Sequence, residues 1–243
     1  MSRKEVIELV DIHTHVLPYM DDGARNTQES VDMLLESYKQ DTRLCVATPH
    51  CTIHQPVDIE NFLIKRKDKY NVLADSIANL DVPKVILGAE VLMDNDISVY
   101  PNIKDLCIGD TDYMLIEFPI DNQNLRLSEW LYSLSLRGIK PIIAHVERYP
   151  NFEKLFSEFS GLNLIYQIND SNFLNFYRRR IIKYIFKNHD AEFIVATDMH
   201  NTSNRRCNIL PAYEIAQKKF PDIAEDIFKN NSLKLFSTES MAL

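Results

Sequence analysis

Short apolar, β-branched runs recur along the chain at 5–13 (EVIELVDIH), 43–50 (RLCVATPH), 84–90 (KVILGAE), 113–119 (YMLIEFP), 140–147 (KPIIAHVE), 162–170 (LNLIYQIND) and 192–200 (EFIVATDMH). Each has strand length and strand composition. Between most of them apolar residues return every three or four positions, over 28–40, 58–80, 127–138, 152–160 and 173–188, with a further stretch near 211–230. That periodicity predicts helices. Nearly continuous apolar strands alternating with helices predict an α/β fold whose parallel sheet is covered on both faces, either a barrel or a doubly wound sheet. Seven strand repeats favour a distorted (β/α)7 TIM-like barrel. No GxGxxG follows the first strand and no GxxxxGK[ST] occurs, so nucleotide-binding variants of the doubly wound fold lose their signature. No linker, repeat or low-complexity stretch divides the 243 residues, and residues 1–243 are expected to form a single domain.

Composition adds exclusions. With 45% hydrophobic and 26% charged residues the chain has material for a large core. The net charge is −8 and the basic residues are taken as scattered, which argues against nucleic acid. No run approaches the roughly 20 apolar residues of a membrane span, and Glu5 and Glu8 interrupt any leader-like stretch. A cytoplasmic protein without membrane insertion is expected. Cys45, Cys51, Cys107 and Cys207 form no CxxC pair, and none is followed six residues later by arginine. A disulfide framework, a zinc knuckle and a cysteine-based phosphatase loop are all disfavoured.

The chemistry is concentrated at the strand ends. Six of the seven predicted strands finish on a candidate metal ligand: His13 and His15, His50, Glu90, Glu117, His145, then Asp198 and His200. A single histidine at a strand end is usually structural, but five of the chain's seven histidines fall there, beside carboxylates. In a parallel α/β barrel all these ends share one face, where barrel enzymes place their sites. Side chains two apart on a strand point the same way, so His13 with His15 and Asp198 with His200 each present a pair. Asp22, in the DDG turn, offers a loop carboxylate ahead of Asp21, with Gly23 supplying turn freedom. Mixed imidazole and carboxylate donors without thiolate suit manganese, iron or zinc. Eight or nine ligands exceed one ion's coordination and imply two or three divalent ions. Asp11 shares a strand face with His13, either as a carboxylate orienting a ligand or as a buried hydrogen-bonded residue. His54 and Cys51 are expected in an exposed loop, and Phe173, Phe176 and Tyr177 in the core rather than as a phosphotyrosine platform.

The segments VDIHTHVLPYMDDGA, ATPH, GAE, IEFP, AHVERYP and TDMHN, in that order, resemble the polymerase and histidinol phosphatase (PHP) superfamily. Within it the chain is most similar to the manganese-dependent bacterial protein-tyrosine phosphatases of capsule and exopolysaccharide systems, the CpsB/CapC type. The resemblance runs from about Val10 to Asn201. It implies a first ion held by His13, His15, Glu90 and Asp198, a second by Glu90, Glu117 and His145, and a third by Asp22, His50 and His200. Tyr19 stands where the family usually has Gly, Val146 where Pro is common and Met199 where Ala is usual.

The resemblance further implies hydrolysis of phosphotyrosine by a metal-activated hydroxide, most often with Mn²⁺. The tail of a bacterial tyrosine kinase would be the partner. Arg148, in HVERYP, matches an arginine the family uses to grip phosphate, as a planar guanidinium can. Arg205 or Arg206, just past TDMHN, is a second candidate phosphate contact. Three divalent ions against the carboxylates of Asp22, Glu90, Glu117 and Asp198 and one hydroxide leave a net positive pocket in an acidic protein, which suits an anionic substrate. The alternatives are a small-molecule phosphomonoesterase such as histidinol phosphatase, an amidohydrolase, or a metal-binding regulatory protein without turnover. Oligomeric state is not encoded legibly.

Overall fold

The computed structural model describes residues 8–120, 126–150 and 152–236. The expected beginning of the first strand, at 5–7, lies outside them. The chain runs β1 (Leu9–Thr14), α1 (Thr27–Lys39), β2 (Thr42–Ala47), β3 (His50–Thr52), α2 (Pro56–Ile77), β4 (Lys84–Leu87), β5 (Glu90–Leu92) and β6 (Tyr113–Glu117). It continues through α3 (Leu127–Leu136), β7 (Lys140–Ile143), α4 (Phe152–Glu158), β8 (Ile165–Asn169), α5 (Ser171–Leu174), α6 (Phe176–Asn188), β9 (Glu192–Ala196), α7 (Ile209–Lys219) and α8 (Asn231–Leu233). Helix starts follow local chemistry. The Asn26 side chain accepts from the Glu29 amide at 2.9 Å to open α1, and Pro56 occupies the first turn of α2, where a missing N–H costs nothing.

Every ladder is parallel, in two sheets ordered β1-β2-β4 and β3-β5-β6-β7-β8-β9. Two expected strands are each broken in two, 43–50 into β2 and β3 and 84–90 into β4 and β5. Pro49 has no N–H to donate at the first break. At the second, Gly88 lies so close to β2 that an added Cβ would stand 3.0 Å from Val46 Cγ1. The two breaks are level with one another: the Gly88 amide donates to the Ala47 carbonyl at 2.8 Å and the Glu90 amide to the Pro49 carbonyl at 3.1 Å. Both chains therefore turn together, and the residues just past the turn, His50 and Glu90, face each other in the next ladder.

Strand alternation sorts the core into two bodies. Cys45, Ala47, Ile116, Ile143 and Val195 pack with the helices, while Val10, Ile12, Leu44, Val46, Leu115, Ile142, Ile165 and Ile194 pack on one another from the opposite face. Each such side chain removed from water contributes roughly 1.5–3 kcal/mol. First and last strands touch at one parallel bridge, Thr14 with Met199, reinforced by the Asp198 amide on the His13 carbonyl and the His15 amide on the Met199 carbonyl, both 2.9 Å.

Two helix expectations change. The stretch 173–188 is interrupted at Asn175, whose side chain caps α6 by accepting from the amides of Tyr177 and Arg178. The stretch 211–230 ends as α7 at Lys219, two residues before Pro221, and resumes as a wide turn over Asp226–Asn230. Among the described residues, no helix is long and apolar enough to cross a membrane.

Candidate metal centre

All nine expected ligands gather at, or just past, the carboxyl ends of β1, β2, β4, β6, β7 and β9. β1 delivers His13 and, just beyond it, His15, both fully buried with their Nε2 atoms 3.2 Å apart. The turn after β1 brings in Asp22, β3 opens with His50 and β5 with Glu90, and β6 ends at Glu117. His145 follows β7, and Asp198 and His200 follow β9. Within 4.8 Å of one another stand donor atoms of three groups: His13, His15 and Glu90; His50, Glu90 and Glu117; and His15, Asp22, His50 and His200. His145 Nε2 lies 2.9 Å from Glu90 and 3.4 Å from Glu117, and Asp198 Oδ1 is 3.5 Å from both His13 and His15.

The outer nitrogens decide what faces inward. His13 Nδ1 meets Gln167 Oε1 at 3.1 Å; that atom also accepts the His145 amide at 2.7 Å, so it is the carbonyl end of the amide. His15 Nδ1 meets Asp21 Oδ2 at 2.7 Å, and His200 Nδ1 meets the Asp198 carbonyl at 3.0 Å. Each partner can only accept, so each Nδ1 carries a proton and each Nε2 faces the centre, offering a lone pair whenever the imidazole is neutral. The Nε2 atoms of three imidazoles thus point at carboxylate oxygens. Glu90 Oε2 and His200 Nε2 are buried and make no well-aligned hydrogen bond among the described residues, although imidazole nitrogens stand 3.0 and 3.3 Å from the first and a carboxylate oxygen 3.4 Å from the second. Such a constellation needs protons or cations, and histidines anchored through the outer nitrogen are the usual dress of metal ligands.

Protonation directions agree. Burial works against charge on His15, yet Asp21 and Glu90 outweigh it and hold its pKa up at about 10. Burial opposes ionisation of Asp198, but His13 and His15 pull it down to about 2, and Glu90 is held well below the usual carboxylate range by the histidines around it. Burial and the neighbouring His15 push His200 down to about 4. Proton sharing of this kind is what a divalent ion displaces when it binds.

Two centre residues, His145 (φ 31°) and Asp198 (φ 53°), sit in the left-handed backbone region. Non-glycine residues enter it at a cost of about 1–2 kcal/mol. Tyr19 does likewise at φ 57°, a region that glycine enters without this cost. Gly23 differs from the expectation of turn freedom. Its role is close approach, since a Cβ there would lie 2.3 Å from the His15 carbonyl oxygen.

Arg205 grips Asp198 through one guanidinium nitrogen, 2.9 and 2.8 Å from the two carboxylate oxygens, and Arg148 reaches the same carboxylate at 3.5 Å from a half-exposed position. Arg206 lies elsewhere, lining a surface hollow with Asp32, Glu36, Lys39 and Thr202. Asp11 touches no imidazole; it accepts from the Thr197 hydroxyl at 2.6 Å and the Thr197 amide at 3.0 Å, tying β1 to β9. His54 is exposed, whereas Cys51 is buried. All four cysteines are free and buried, and burial pushes the thiols of Cys51 and Cys107 up to about 12, far from a nucleophile's range. Three orienting residues were not foreseen: Asp21, Gln167 and Asn169, whose amide donates to Asp198 Oδ2 at 3.0 Å. Gln167 and Asn169 are two apart in β8, a polar alternation visible within LNLIYQIND.

Fold and site together define an α/β protein with a histidine and carboxylate cluster at the carboxyl ends of parallel strands. A family model described as capsular polysaccharide synthesis, CpsB/CapC, matches residues 9–237, and the chain belongs to that family. Among its relatives, the tyrosine-protein phosphatase CpsB of Streptococcus pneumoniae is 30% identical, over 93% of this chain and 98% of its own. The tyrosine-protein phosphatase YwqE of Bacillus subtilis is 28% identical, over 87% of this chain and 85% of its own. A solved structure from a study of YwqE and CpsB as metal-dependent tyrosine phosphatases superposes with TM-score 0.79 at 24% identity, over 93% of both chains, and shares the fold.

Proposed function

We propose that this chain is a metal-dependent phosphatase that removes phosphate from tyrosine in proteins. The observation that carries it is the pair of imidazoles, His13 and His15, anchored through Nδ1 with their Nε2 atoms turned toward Glu90, beside His200, likewise anchored and turned toward Asp22. His13, His15, Asp22, His50, Glu90, Glu117, His145, Asp198 and His200 would hold two or three divalent ions, with Mn²⁺ the first choice and iron or zinc the alternatives. Bound there, divalent ions would supply a water that ionises near neutral pH and positive charge against the phosphoryl oxygens.

The chain's own residues do the rest. Glu90 spaces four histidines, and Asp21 and Gln167 fix the tautomers of His15 and His13. Arg148 and Arg205 stand at the pocket edge on Asp198, each with guanidinium N–H groups to offer phosphoryl oxygens. Relatives of this chain are named tyrosine-protein phosphatases, and an aryl ester asks less of a proton donor than an alkyl ester does. Tyrosine, with pKa about 10, leaves far more readily than an alkyl alcohol. This supports the aryl ester over histidinol phosphate.

The same reading takes residues 1–243 as one domain and its strands as a distorted seven-fold barrel. The apolar cluster drawn from β1, β2, β6, β7, β8 and β9, and the Thr14 to Met199 bridge, support that closure. A cytoplasmic enzyme acting on the tyrosine-rich tail of a bacterial kinase completes the proposal, with capsule synthesis as its setting.

The test is phosphate release from p-nitrophenyl phosphate and from a phosphotyrosine peptide, with Mn²⁺ and with chelator. Chelator and His13→Ala should abolish turnover, and Arg148→Ala should lower it about 10²- to 10³-fold. No turnover with any divalent metal would overturn the assignment; preference for histidinol phosphate would move it to a small-molecule enzyme. Binding of the peptide without release would make the protein a regulator. Asp21→Asn should weaken Mn²⁺ affinity by about 10- to 100-fold, read by competition with a fluorescent chelator; unchanged affinity would remove Asp21 from its positioning role.

A further inference from the structure

We infer that the exposed face of α6, with the hollow it forms against the end of α7, docks onto an anionic lipid surface. This goes beyond the phosphatase reading and does not depend on it.

Charge distribution points there first. The thirteen residues of α6 hold Arg178, Arg179, Arg180, Lys183 and Lys187 and no acidic residue, in a chain of net charge −8. The basic residues are thus gathered where the sequence alone suggested scatter. Arg179, Arg180 and Lys183 meet Lys219 around a hollow of about 320 Å³ whose apolar walls are Phe176 and Phe220. None of these four cations forms an ion pair with a carboxylate among the described residues. Arg179 donates to the Phe173 carbonyl at 2.6 Å and lies over the Phe176 ring at 5.9 Å.

Apolar exposure points to the same face. Phe176 and Tyr177 are 64% and 75% exposed, and Ile181, one turn beyond Tyr177, is 40% exposed. Ile182 and Ile185 on the other side of the helix are fully buried and hold it to the core. An acidic peptide would match the cations but leave the aromatic rings in water. A lipid interface takes both, rings at headgroup depth and cations on the phosphates. Arg178 in the first turn hydrogen-bonds Asn172 at 3.4 Å, and Asn172 donates to Glu147 beside His145 at 2.8 Å. The docking face therefore adjoins the rim of the metal centre.

Sedimentation with vesicles tests this on the full chain, using phosphatidylcholine alone and phosphatidylcholine mixed with phosphatidylglycerol. Only the anionic vesicles should carry the protein down, and high salt should release it. Each cation near the surface is worth about fivefold in partitioning, so R180Q/K183Q/K219Q together should lose about a hundredfold. F176S/Y177S should also weaken binding, while p-nitrophenyl phosphate turnover and circular dichroism of both variants stay unchanged. Absence of binding to anionic vesicles, equal binding to neutral ones, or retention by the triple variant would overturn the inference. So would capture by immobilised polyglutamate without vesicle binding, which would assign the face to an acidic protein. A dimer lost in the variants, again without vesicle binding, would assign it to a second copy.

Discussion

Glu90→Gln should lower turnover of an aryl phosphate by about a thousandfold and strip the protein of most of its metal. Glu90 Oε1 is 2.9 Å from His145 and 3.3 Å from His13, and Oε2 is 3.0 Å from His50 and 3.3 Å from His15. No other carboxylate in the cluster meets four imidazoles. The amide keeps the shape but removes a negative charge from the midst of four imidazoles. It also brings two N–H groups that an ion cannot share. Loss of several kcal/mol of charge stabilisation corresponds to about three orders of magnitude at about 1.4 kcal/mol per tenfold. Metal content by mass spectrometry and steady-state kinetics read the two effects. A variant with full metal and turnover within a few-fold of the parent would remove Glu90 from the centre.

Gly23→Ala, a single methyl group, should cost about 1–3 kcal/mol of stability and about a hundredfold in turnover. The new Cβ would stand 2.3 Å from the His15 carbonyl oxygen and 2.4 Å from His15 Cβ, so backbone must move. That backbone is pinned from both sides. The Ala24 amide donates to the His15 carbonyl at 3.0 Å and the Gly23 amide to Asp21 Oδ1 at 2.9 Å. Either shift drags His15 or the carboxylate that fixes its tautomer. A melting temperature several degrees lower, with Mn²⁺ affinity falling in step, is expected. Melting and turnover indistinguishable from the parent would show that the turn relaxes freely.

The convergence of these nine side chains was legible because one rule governs it: parallel strands align their carboxyl ends, so a histidine or carboxylate closing strand after strand must come together. The breaks after Ala47 and Leu87 were not, since the apolar run continues through them and only Pro49 and Gly88 mark the turn. Orienting residues were harder still. Asp21 competes with the adjacent Asp22 in the same DDG turn, and which carboxylate faces His15 depends on a turn geometry that pattern does not fix. Phe176 and Tyr177 were expected in the core because a helical spacing was extended from Phe173 across Asn175. That asparagine starts a new helix, and residues on its two sides need not share a face. Phe173 is buried, whereas Phe176 and Tyr177 are exposed.

The contact between the first and last strands sets an order of events. Asp11 accepts the Thr197 amide across 186 residues of chain, and His13 and Asp198 are joined by backbone in the same place. Closing so long a loop is slow compared with forming neighbouring strand pairs. A growing chain therefore carries most of its donors long before it can assemble them. The nine side chains can meet in full only once the ninth strand has been made, and a truncated or stalled product, however well folded in part, lacks the contribution of Asp198 and His200.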